Sequence, residues 1–62
     1  MNREVKVNQI RKWTDHLESR GENIYFIVLN IGTNATRVRF LVTQAIHSFF
    51  CDYMYIHSDP VD

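Results

Sequence analysis

Residues 23–31, Asn-Ile-Tyr-Phe-Ile-Val-Leu-Asn-Ile, are apolar on both alternating faces: Ile24, Phe26 and Val28 on one, Tyr25, Ile27, Leu29 and Ile31 on the other. β-branched and aromatic residues at this density fit a strand, and a strand apolar on both sides fits the middle of a sheet with both faces covered. The chain has 62 residues, scarcely enough to supply two covering layers. A domain of this size buries only about 60% of the surface its unfolded chain exposes. It leans on staples, unusually good packing or a second copy. Cys51 is the one cysteine, so no disulfide can form within the chain, and no Cys/His set has the spacing of a structural zinc site. Packing and self-association remain.

The segments around this strand read as helix, strand, helix, strand, a small single α+β domain over residues 1–62 with an acidic tail at 58–62. Val7, Ile10, Trp13 or Thr14, and Leu17 recur at helical spacing, with Arg11 and Lys12 facing away, and Arg20 followed by Gly21 makes a stop signal. In the segment after the strand, Val38, Leu41, Val42, Ala45, Ile46 and Phe49 follow the i, i+3, i+4 pattern of one helix face behind a Thr33-Asn34 cap. The competing reading makes Thr36–Thr43 a strand entered by a Gly32-Thr33-Asn34-Ala35 hairpin loop, giving one helix and a three-stranded antiparallel meander. The helical pattern matches more positions and is preferred. Residues 51–57, aromatic and short, read as a closing strand that Pro60 ends.

Charge excludes some functions. Seven basic residues balance seven acidic ones: residues 1–20 hold five positive and three negative groups, and residues 51–62 hold three negative ones. A dedicated nucleic-acid binder is usually distinctly basic. Met1-Asn2-Arg3-Glu4 precedes no apolar stretch of the signal-peptide kind, and no apolar run approaches the roughly 20 residues of a membrane span. With a lone cysteine, the expected location is the cytoplasm.

Three groups of residues are candidates for function. In the helical reading, Gly32, Thr33, Asn34 and Arg37 lie where a strand's carboxyl end enters a helix N-terminus, a place that suits an anion. One glycine without a following lysine is nevertheless no phosphate-loop fingerprint. Phe40, Phe49, Phe50, Tyr53 and Tyr55 form an aromatic surplus suited to a protein interface. Arg3, Lys6, Arg11 and Lys12 are the phosphate contacts of an alternative, nucleic-acid-binding reading. His47, Cys51 and His57, with His16 and Asp52, lack the spacing of a metal site or of a nucleophile with its base, so no cofactor, metal or catalytic residue is expected. The resulting expectation is a non-catalytic interaction or regulatory protein, a homodimer that binds and inhibits a larger protein. The alternative is a nucleic-acid or nucleotide-binding regulator.

Overall fold

A computed structural model describes residues 4–14 and 18–61. The architecture is a five-stranded antiparallel sheet with one short helix, which overturns the helix-strand-helix-strand expectation. The strands are β1 (Ile10–Trp13), β2 (Tyr25–Ile31), β3 (Ala35–Phe40), β4 (Ile46–Phe50) and β5 (Ser58–Pro60), in the order β4-β3-β2-β1-β5. The helix α1 is Cys51–His57, and a 3-10 segment, Glu18–Asn23, leads from β1 into β2.

The first expected helix fails because its stripe is split across a sheet. Trp13 points into the core and Ile10 to the opposite face, while Arg11, expected on a solvated side, is buried. Leu17, the last member of that stripe, lies outside the described residues. The expected stop at Arg20-Gly21 falls inside the 3-10 segment, where Gly21 takes φ 40° and ψ −113°, a conformation open to glycine and strained for other residues.

The expected helix over 34–50 is a hairpin. Its six apolar positions come from three places: Val38 and Phe49 face inward from two strands, Leu41, Val42 and Ala45 sit in the connecting loop, the first two exposed and Ala45 half-buried against the core, and Ile46 faces outward. The strand period carries the segment instead, with Thr36, Val38 and Phe40 buried and Arg37 and Arg39 exposed. Gln44 closes the loop with φ 65°, and its N–H bonds Phe40 O at 2.9 Å. Gly32-Thr33-Asn34 is the β2–β3 hairpin loop, pinned at its base by Gly32 N–H to Ala35 O at 2.7 Å.

Residues 51–57, expected as a strand, form α1. A helix brings Tyr53, Met54 and His57 onto one side, over the sheet, and leaves Tyr55 and Ile56 outward. Met54 is fully buried with Trp13, Phe26, Val28, Val38 and Phe40. Trp13 is the hub of the aromatic packing, with ring centroids 4.8 Å from Phe26, 5.0 Å from Phe49 and 5.5 Å from Tyr53. Ser58–Pro60, part of the expected acidic tail, instead pairs with β1 as the edge strand β5.

Candidate binding surface

α1 covers one face of the sheet, and the other carries no layer among the described residues. β2 is central, yet only its Phe26 and Val28 side is buried. Tyr25 is exposed, and Ile27 and Leu29 are half-buried. The pairing register sets out the open face in rows. Ile10, Ile27, Arg39 and Ile46 are successive neighbours across β1, β2, β3 and β4. On one flank Asp59 lies beside Lys12 and Lys12 beside Tyr25, with the Lys12 ammonium 5.8 Å from the Tyr25 ring centre. On the other, Arg37 lies beside Ser48 and Ala35 beside Phe50.

Alternation in β3 generates the positive charge of this face. Its inward positions are taken by Thr36, Val38 and Phe40, so Arg37 and Arg39 must stand outward. Neither guanidinium has an ionic or hydrogen-bonding partner among the described residues. Lys12, Arg37 and Arg39 therefore present positive charge on an otherwise largely aliphatic surface, with Asp59 the one acid among the described residues at its β5 edge.

The anticipated anion loop takes a different form. No helix follows Gly32-Thr33-Asn34, and Arg37 lies beyond the hairpin on the open face. The loop is tied to the start of α1, where Cys51 N–H bonds Asn34 O at 3.0 Å. Cys51 Sγ lies 3.4 Å from Thr36 Oγ1 and 3.7 Å from Gly32 O.

The aromatic group divides. Phe40 is buried, and Phe49 and Tyr53 are half-buried and stacked at 6.0 Å. Phe50 is 74% and Tyr55 51% exposed, Phe50 at the β4 end of the open face and Tyr55 on the solvent side of α1. His47 packs on Phe40 at 5.4 Å and His57 on Tyr53 at 4.5 Å. Among the described residues no three His, Cys, Asp or Glu side chains converge, and no helix is long and apolar enough to cross a membrane.

The basic group divides too. Arg3 lies outside the described residues, and Lys6 and Lys12 are exposed. Arg11 is fully buried and is not a surface contact: Nε donates to Ser58 Oγ at 2.8 Å, Nη2 to Ser58 O at 2.7 Å and Nη1 to Gln9 Oε1 at 2.8 Å. Ser58 Oγ in turn donates to Met54 O. Arg11 thus fastens β5 and the end of α1 to β1. The open face was not among the sequence candidates. The signal for it was the Arg37-Val38-Arg39 alternation, legible only once the segment is taken as a strand.

The chain matches no protein-family model, no curated protein and no solved structure.

Proposed function

We propose that this is a non-catalytic interaction protein that uses the open face of its sheet to hold an acidic, partly apolar surface of a larger protein, acting by occupying that surface. The observation that carries the reading is the pair Arg37 and Arg39, without partners among the described residues, set among Ile10, Ile27 and Ile46 on the uncovered face. Arginine and tyrosine beside aliphatic side chains match the composition of protein-interface cores.

Single-stranded nucleic acid is the competing occupant, because exposed aromatics next to cations make stacking platforms. Tyr25 and Phe50 are the aromatic residues placed for that role, but the Lys12 ammonium lies over the Tyr25 ring and the rows between are aliphatic. The protein reading has the better match.

Fluorescence anisotropy with a labelled synthetic peptide alternating Glu with Leu and Tyr, and with a labelled oligo-dT, separates the two. The peptide should bind, and the double variant Arg37→Glu/Arg39→Glu should weaken it by at least about tenfold. Tighter binding of oligo-dT with a steep salt dependence would replace this reading with the nucleic-acid one. Binding of neither probe, or peptide binding indifferent to the double variant, would remove the open face as the site.

A further inference from the structure

The two edges of the sheet are not alike. At the β5 edge, hydrogen-bonded pairing joins Thr14 N–H to His57 O at 2.8 Å and Val61 N–H to Ile10 O at 3.0 Å. The alternation of an antiparallel ladder then turns Ser58 and Pro60 outward. Pro60 has no N–H, which blunts that edge as natural sheets commonly do. At the β4 edge, Phe40 N–H to Ala45 O at 2.9 Å and Cys51 N–H to Asn34 O at 3.0 Å fix the same alternation. His47 and Phe49 turn their backbone groups to β3, while Ile46 and Ser48 turn N–H and C=O to the free edge. Phe50 turns its N–H there also, its carbonyl being engaged as the cap residue of α1. β4, Ile-His-Ser-Phe-Phe, has no lysine, acid, proline or bulge to guard it.

We propose that β4 pairs with β4 of a second copy, antiparallel about a two-fold axis at Ser48, joining two five-stranded sheets into one. The strand is complementary to itself in that register. Ser48 meets Ser48 and exchanges two hydrogen bonds, and each Phe50 N–H reaches the Ile46 carbonyl across the axis, about four bonds in all. On the open face each Phe50, 74% exposed in the single chain, lies opposite the second copy's Ile46, 58% exposed. A depression of about 340 Å3 lined by Ala35, Ser48, Phe49, Phe50 and Tyr53 lies along the same edge. On the inner side Phe49 meets His47. No charged pair is brought together at the seam, since Arg37 and Arg39 stay one strand behind it on each side. A two-fold pairing is closed, so the assembly stops at two.

Ser48→Pro isolates the idea, because the N–H it removes points away from β3 and its ring stands in the path of the second copy. Ser48→Lys, which sets two ammonium groups face to face at the axis, is the independent variant if proline disturbs the strand. Sedimentation equilibrium of the full chain should give twice the 7.4 kDa chain mass, and each variant should weaken the dimer by at least about thirtyfold. Amide exchange of the dimer should protect Ser48 and Phe50 together with His47 and Phe49, and on dilution the first two should lose protection while the other two keep it. A monomer at high micromolar concentration would overturn the proposal. So would a dimer that both variants leave intact, open-rate exchange at Ser48 and Phe50, or growth beyond two copies.

Discussion

Arg11→Ala should bring the fold close to collapse. The guanidinium is fully buried and makes three short bonds, at 2.8, 2.7 and 2.8 Å, to Ser58 Oγ, Ser58 O and Gln9 Oε1. Bonds to a charged donor contribute about 1.5–3 kcal/mol each, so three reach about 4.5 kcal/mol at the low end. Against this, the substitution relieves the cost of holding a cation away from water, which is several kcal/mol for an ion. The Ser58 and Gln9 acceptors left behind are neutral, but the Ser58 carbonyl stays buried and the vacated space adds a cavity term. The balance is a loss of about 3 kcal/mol, close to the whole stability of the weakest domains of this length, roughly 3–9 kcal/mol. Trp13, the only tryptophan and central to the core, supplies the signal for urea titration. With a slope of about 1 kcal/mol per molar, the midpoint should fall by about 3 M, or the variant should be unfolded in buffer. Arg11→Lys, whose ammonium cannot span three acceptors in a fork, should recover part of the loss. An alanine variant with a midpoint within about 0.5 M of the parent would refute the claim that this arginine fastens β5 to β1.

Two further substitutions test the backbone. Gln44→Gly, at φ 65°, should raise stability by about 0.5 kcal/mol in thermal melts, whereas Gly21→Ala, with open space around the site but φ 40° and ψ −113°, should lower it by about 2 kcal/mol. The neighbouring phenylalanines should separate cleanly at concentrations where the chain is a monomer. Phe49→Ala, packed on Trp13 and Tyr53, should cost about 2–3 kcal/mol, and the exposed Phe50→Ala should fall within about 0.5 kcal/mol of the parent. Equal losses at the two positions would refute the in–out alternation of β4.

The central strand was legible because Tyr25–Leu29 are five successive apolar residues, four of them aromatic or β-branched. The rest turned on competing periods. From Val38 to Phe49, inward strand positions and exposed loop residues happen to fall at helical spacing, and only pairing with β2 and β4 decides between them. Residues 51–57 failed for the opposite reason. Tyr53, Tyr55 and Ile56 favour a strand locally, yet the space over Trp13 is filled by a two-turn helix that buries Met54. The open face was partly visible, since Arg37 and Arg39 alternate with Val38. Their setting was not, because it is assembled from four strands. Arg11 looks like a surface cation in the sequence, for its buried acceptors lie on Gln9 and on Ser58, 47 residues away.

That separation has a consequence for how the chain folds during synthesis. β2, β3 and β4 are joined by short loops and can pair as each leaves the ribosome, whereas β1 takes its second neighbour from residues 58–60. Until Ser58 emerges, the Arg11 guanidinium lacks its two Ser58 acceptors, and burying it without them would be costly. The nascent meander therefore waits with one side of β1 unpaired, and completion depends on a contact of high sequence separation, the kind that slows folding. Stalling translation before Ser58 should leave Trp13 fluorescence unfolded-like, and release should restore it in a single late step.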